Sequence, residues 1–240
     1  MRNTLARCAA AAATAVLAAT AMPAAAAQAA PSGSITKAAN LHLLGSATVE
    51  GKTIRLTSDT KRQAGAAWYK SKLNPKRSFE TAFTVTMTGE VGHADGVALV
   101  LQNDGPKAYG GHGGSLGYGG MTHSVAVELD TFKNPLDVDN NHIAIVAGGL
   151  SDAAQPMSAS SPIMMFGQTL RVRITYLAET KTLKVRLRAA GSTTEIKVLQ
   201  ETIDLAQALG NKKAFIGFTG GTGEDVSVQE ISNWVVKLKP

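Results

Sequence analysis

Ser124-Val125-Ala126-Val127-Glu128-Leu129-Asp130-Thr131-Phe132-Lys133-Asn134-Pro135-Leu136-Asp137-Val138-Asp139-Asn140-Asn141-His142 is an apolar run that ends in a crowd of carboxylates, amides and one imidazole. Ser124 to Val127 reads as a buried strand, and Glu128 and Asp130 continue it. Two residues apart on a strand, these side chains point to the same face. Two like-charged carboxylates on one buried face repel each other and are costly to desolvate. A divalent cation between them removes that cost, so the stretch predicts a metal site at a strand end. By ligand type, Glu128, Asp130, Asp137 and His142 form a mixed oxygen–nitrogen set that suits a borderline ion such as Mn or Zn. Asp130, Asn134, Asp137 and a backbone carbonyl near Phe132 form an all-oxygen set that suits Ca. Asp139 competes with Asp137 as a ligand. The alternative is a strand end followed by a solvated polar loop, with His142 merely opening the next strand.

Outward from this stretch the signals are almost all β. Thr53 to Thr57, Phe79 to Thr86, Leu170 to Tyr176 and Leu183 to Arg188 alternate polar and apolar residues, as antiparallel strands with one polar face do. Gly96 to Leu101, Val125 to Leu129 and Ile143 to Val146 are continuous apolar runs and read as central strands buried on both faces. Ile203 to Leu209 is the one helix expected, with Asp204 as its cap and Gly210 as its stop. Many short strands separated by turn signals predict a sandwich or jelly roll, and no repeat or linker divides it. Two loops are rich in glycine, Gly110 to Gly120 and Thr219 to Asp225. Such loops are either flexible connections or backbone that approaches a ligand closely.

The first 29 residues read as a signal peptide: Arg2 and Arg7, an alanine-rich apolar stretch, then Ala27-Gln28-Ala29 as an A-x-A cleavage pattern. Cleavage is placed after Ala29, with Ala27 as the alternative, and 30–36 reads as a loose leader before a domain over 37–240. No later segment is apolar for long enough to span a bilayer, so an exported, extracellular protein is expected. Cleavage also removes Cys8, the only cysteine, which leaves metal as the available staple. Loss of Arg2 and Arg7 takes the net charge from +6 to about +4. That excess reads as scattered, with no basic cluster and no aromatic-interleaved basic stripe, so no nucleic-acid partner is expected.

The segment Val125-Ala126-Val127-Glu128-Leu129-Asp130-Thr131-Phe132, followed by Asn134, Asp137 and His142-Ile143-Ala144-Ile145, resembles the metal-binding loop of the legume-type (L-type) lectins. Further motifs follow in the family's order: Asn40 to Ala47, Ser78 to Phe83, Ala94-Asp95-Gly96-Val97-Ala98, Gly113-Gly114-Ser115-Leu116-Gly117, Phe215 to Thr219, Thr222-Gly223 and Trp234. The resemblance, to a secreted, bacterial-like member, implies an all-β, concanavalin-like antiparallel β sandwich with a Mn2+ and a Ca2+ site side by side. It implies Glu128, Asp130, Asp137 and His142 around the transition metal, and Asp130, the Phe132 carbonyl, Asn134 and Asp137 around calcium. A sugar would sit beside the calcium. Asp95 would accept from its hydroxyls, Asn134 and a backbone N–H of Gly113 or Gly114 would donate, and the Phe132 ring would offer its face. Gly223 and Glu224 belong to the last loop of that site, and the peptide bond before Asp95 would be cis. Val138 stands where the family usually has proline and Leu136 where many members have tryptophan, but neither departure removes a ligand.

Two enzymatic readings compete. Gly113-Gly114-Ser115-Leu116-Gly117 fits a G-x-S-x-G nucleophile elbow, which needs a strand before it and a helix after it; Tyr118-Gly119-Gly120 is a poor helix start. The Glu-x-Asp strand is also similar to that of sandwich-fold glycosidases, which use a third carboxylate two residues on, where this chain has Phe132. The expected function is therefore a metal-dependent carbohydrate-binding protein without catalysis, with glycans as partners and edge-to-edge homodimers a family habit. The alternatives are a glycoside hydrolase of related fold, or a cell-surface interaction module that has lost sugar binding. Trp68, Trp234 and Met164-Met165 are expected in the core.

Overall fold

A computed structural model of the chain describes residues 37–90, 92–149 and 157–239. The signal peptide and leader expected over 1–36 lie outside the described residues. The period-2 segments form strands close to where the alternation places them. They assemble into two seven-stranded sheets in which every neighbouring pair is antiparallel.

In chain order the first sheet's strands are β1 (Leu41–Gly45), β4 (Ala64–Tyr69), β6 (Gly96–Gln102), β7 (Ser124–Asp130), β8 (His142–Ala147), β9 (Ser158–Ser160) and β13 (Phe215–Gly221). In space they run β1-β4-β13-β6-β7-β8-β9. The second sheet holds β2 (Thr48–Glu50), β3 (Thr53–Thr57), β5 (Phe79–Thr88), β10 (Thr169–Leu177), β11 (Thr182–Ala189), β12 (Ile196–Thr202) and β14 (Val228–Leu238). Its order is β12-β11-β10-β5-β14-β3-β2. The helix expected near 203–209 is a single turn, α1 (Leu205–Ala208), with the Asp204 side chain accepting from the Gln207 N–H at 3.0 Å. No helix among the described residues is long and apolar enough to cross a membrane.

The apolar faces of the two sheets meet in one large core. Phe218 stands at its centre, edge-on to Phe83 and Trp234 at 4.6 and 4.8 Å between ring centroids. The other face of the first sheet is covered as well, which explains why β6, β7 and β8 read as continuous apolar runs. Ala98, Val100, Ala126, Ala144 and Val146 pack there against Trp68 and against Leu116, Tyr118 and Met121 of the glycine-rich loop. That loop is thus a lid on the sheet as well as a rim of the cleft described below. Both tryptophans are fully buried and bonded, Trp68 to the Ala108 carbonyl at 2.7 Å and Trp234 to Thr81 Oγ1 at 3.0 Å. Met165 joins the core, but Met164 is 62% exposed.

Candidate functional site

The β7–β8 register sets Asp130 directly opposite His142, and Glu128 lies on the same face as Asp130 two residues earlier. Pairing therefore brings together two carboxylates and an imidazole that are up to fourteen residues apart in sequence. Ligand atoms of Glu128, Asp130 and His142 all lie within 4.8 Å of one another, and all three residues are buried. Burial, and then the neighbouring Glu128 charge, pushes the Asp130 carboxyl well above the usual range. The His142 Nδ1 meets the Asp139 carbonyl at 2.8 Å. A carbonyl only accepts, so Nδ1 is the donor in this contact and the ring is held with its other nitrogen, Nε2, as the one left to coordinate a metal. An O, O, N donor set with an oriented imidazole, and an unfavourable like-charge pair, fits a divalent ion of borderline character.

Asp137 lies outside that three-residue group. Its carboxylate accepts from the Asn134 N–H at 2.7 Å, and the Asn134 carbonyl accepts from the Asp137 N–H at 3.1 Å, closing a turn within the loop. Its charge still reaches Asp130 and adds to the rise there. Asp139 is engaged elsewhere. Burial pushes it up, but hydrogen bonds from Ser160 and from the Asn141 N–H at 2.8 Å hold it below the usual range. The Phe132 N–H donates to Asp130 Oδ1 at 2.8 Å, and the Phe132 ring is exposed.

Glu128 has a partner that the sequence reading did not assign. The buried Tyr118 hydroxyl, from the glycine-rich loop, donates to Glu128 Oε1. The lid over the first sheet therefore also grips one of the three converging side chains.

Asp95 reaches this end of the sheet through the β6–β7 ladder, in which Gly96 stands opposite Asp130. A Cβ on Gly96 would fall 2.5 Å from the Leu129 carbonyl oxygen, so only glycine lets β6 lie this close, at a φ of 147°. The Ala94–Asp95 peptide is cis. Thr131 N–H donates to the Asp95 carbonyl at 3.0 Å, and Asp95 N–H to the Gly221 carbonyl at 3.1 Å. Asp95 is thus tied to the stretch that follows β7 on one side and to β13 on the other. Burial raises its carboxyl to about 7; the Gly223 backbone opposes the rise and the Asp225 charge adds to it. Its Oδ2 is buried without a hydrogen-bond partner.

Beside Asp95 opens a cleft of about 820 Å³ lined by Gly113, Gly114, Phe132, Gly223 and Glu224, all of them expected from the sequence. Asn134 stands behind Gly114: a Cβ there would fall 3.1 Å from the Asn134 side-chain amide. Gly113 N–H donates to the Thr222 carbonyl at 3.0 Å and docks the glycine-rich loop onto the end of β13. Asp225, on the same loop as Glu224, also lines the cleft, as do Arg62, His112 and Ser115, which were not expected. Arg62 and Lys61 both pair with Glu224, which they hold below the usual carboxylate range. No spacing in the sequence signals that contact, since more than 160 residues separate the partners. Ser115 closes a 3-10 turn, Gly113–Ser115, and is followed by a left-handed Leu116 rather than by a helix.

Residues 34–234 match the family model described as the legume lectin beta-barrel domain. Lectin 1 of Medicago truncatula is 29% identical over 81% of this chain and 75% of its own length. A probable L-type lectin-domain containing receptor kinase, I.2, of Arabidopsis thaliana is 28% identical over 76% of this chain. The chain spans about a third of the length of the receptor kinases it matches. Among solved structures, basic winged bean lectin with Tn-antigen superposes with a TM-score of 0.74 at 24% identity, over 85% of this chain and 95% of that one. Winged bean acidic lectin complexed with methyl-alpha-D-galactose gives 0.72 at 26%, over 84% and 94%. The Medicago and Arabidopsis proteins and the two winged bean lectins are plant proteins, so they do not bear out the bacterial-like character expected above.

Proposed function

The chain belongs to the legume (L-type) lectin family, and from that premise we propose that it is an exported, metal-dependent carbohydrate-binding protein without catalysis. Glu128, Asp130, Asp137 and His142 would hold a transition metal such as Mn2+. Asp130, the Phe132 carbonyl, Asn134 and Asp137 would hold Ca2+. Bound cations would supply positive charge where buried carboxylates otherwise repel one another. Asp95 would accept from sugar hydroxyls, Asn134 and the Gly114 N–H would donate, since the Gly113 N–H is already given to the Thr222 carbonyl, and the exposed Phe132 ring would cover an apolar sugar face. Gly223 and Glu224 would close the far rim. Binding energy would come from preorganisation, because loops already ordered lose little entropy when a glycan arrives.

The observation that carries this reading is the buried Asp95 Oδ2, which lacks a partner and belongs to a residue lining the cleft with Gly113, Gly114, Phe132, Gly223 and Glu224. A buried unpaired acceptor is costly and calls for a donor from the ligand. The export step rests on the signal-peptide pattern of residues 1–29, and the domain on residues 37–240. Edge-to-edge homodimers belong to the same proposal. A glycan array probed with and without chelator tests it, with galactosides as first probes because the winged bean relative carries one. Chelator-sensitive binding to at least one glycan is expected. Binding to none would favour an interaction module. Release of reducing sugar abolished by Glu128→Gln would sink the lectin reading in favour of a hydrolase.

A further inference from the structure

The outward face of the second sheet gathers cations. Along β10 and β11 the residues Leu170, Val172, Ile174, Leu183, Val185 and Leu187 are buried, so the alternate residues Arg171, Arg173, Lys184, Arg186 and Arg188 leave by the other face. The register then sets Arg171 opposite Arg188 and Arg173 opposite Arg186, and Arg186 opposite Lys197 of β12. Like charges placed directly across a ladder destabilise a sheet. Compensation is thin. Glu195 at 3.0 Å and Glu80 at 3.7 Å both serve Arg173, and Glu80 also pairs with Lys239 at 3.4 Å. No ion pair among the described residues engages Arg171, Lys184, Arg186, Arg188 or Lys197. Arg173, Lys184, Arg186 and Lys239 line a trough of about 390 Å³ in which Glu80 and Glu195 are the acidic residues. The positive excess that reads as scattered along the chain is therefore concentrated by strand pairing.

We propose that this face docks an acidic polysaccharide, a chain carrying carboxylate or sulfate groups at regular intervals. Charge complementarity commits the occupant to an anion. The predominance of arginine favours planar oxyanions, which its fork binds bidentately. Cations two residues apart on a strand stand about 6.7 Å apart, and those on neighbouring strands about 4.8 Å. Such a lattice matches an extended polymer better than a single small anion. The remaining outward positions of β10 and β11 include Thr169, Thr175 and Thr182 and no aromatic residue. Nucleic-acid bases thus lack a stacking platform there, which favours the polysaccharide. The face lies on the sheet that does not carry Asp95, Glu128 or Asp130, so the inference stands whether or not the sugar cleft works as proposed.

The test measures binding of the intact chain to heparin and to polygalacturonate by calorimetry, at low and moderate salt, with and without chelator. Salt-sensitive binding that survives chelation is expected with at least one of these probes. Arg171→Ser/Arg186→Ser should weaken it roughly tenfold or more, as loss of charge-assisted contacts does. Lys212→Ser/Lys213→Ser, which removes the same net charge at exposed positions between α1 and β13, outside the strands of this sheet, should leave it within about twofold. If the arginine variant fails to fold, Lys184→Ser/Lys197→Ser replaces it. The proposal is overturned by absence of binding to both probes at low salt, or by equal loss in the two sets of variants. Duplex DNA binding as tightly as the polysaccharides, through the same arginines, also overturns it.

Discussion

At the scale of single residues, the site consists of carboxylates held where they are least comfortable. Asp95 and Asp130 are buried and raised, and Glu128 is gripped by the Tyr118 hydroxyl. Asp95→Asn should abolish glycan binding while leaving the melting temperature of the metal-loaded protein within a few degrees. A variant that keeps binding to every glycan recognised by the parent would remove Asp95 from the sugar site. Tyr118→Phe deletes the hydroxyl but keeps the ring that packs against β7 and β8. Partners of ligating side chains typically contribute ten- to hundredfold in metal affinity, so the Tyr118→Phe protein should bind Mn2+ about tenfold or more weakly. Titration of the demetallated protein followed by electron paramagnetic resonance reads this directly; unchanged affinity would make the bond purely structural. The three side chains that converge, Glu128, Asp130 and His142, were legible as candidates because they crowd into one short stretch of the sequence. Tyr118 was not, because only the fold of the glycine-rich loop lays it over Glu128.

At the scale of elements, alternation made most strands legible. β3 spans the expected Thr53–Thr57, and β5, β10 and β11 exceed their expected limits by one or two residues. The continuous runs also read correctly as central strands, since β6, β7 and β8 are covered on both faces. What covers the outer face was not legible. Gly110 to Gly120 looks like flexible connection or ligand contact, and besides lining the cleft it serves as a lid anchored by Leu116 and Tyr118. Glycine is required there because backbone packs against backbone: a Cβ on Gly110 would meet Gly119 atoms at 2.5 Å. Gly114→Val should accordingly push Asn134 out of place and weaken glycan binding at least severalfold. Its thermal stability should change less than that of Phe218→Ala, which empties the contact between β13, β5 and β14 and costs about 3–5 kcal/mol. Chemical denaturation of the two variants side by side checks the ranking.

At the scale of the whole molecule, pH and metal act on one balance. In the chelated protein Asp95 titrates near 7, against 3.8 when unperturbed. Below 3.8 both folded and unfolded chains hold this proton, and stability is full. As pH rises the unfolded chain releases the proton first, the native state binds more protons, and stability falls through the window up to about 7. Asp130, raised for the same reason of burial, pushes in the same direction. Metal binding needs deprotonated ligands, so its stabilisation grows with pH. The gap in melting temperature between loaded and chelated protein should therefore widen from about pH 5 to about pH 8. A constant gap, with metal content verified by elemental analysis, would count against the site. Taken by itself, the sequence determined the strands, the all-β class and the identity of the converging side chains, because a period of two and a run of carboxylates and imidazole are local properties. Only tertiary structure decided which distant pieces meet. The ladder β6-β7-β8 puts Asp95, Asp130 and His142 at one end of a sheet, the Arg62–Glu224 pair joins two distant segments at the wall of the cleft, and the β10–β11 register turns dispersed cations into one face. Those juxtapositions follow from strand order and register, which depend on the packing of whole sheets and leave no local periodicity in the chain.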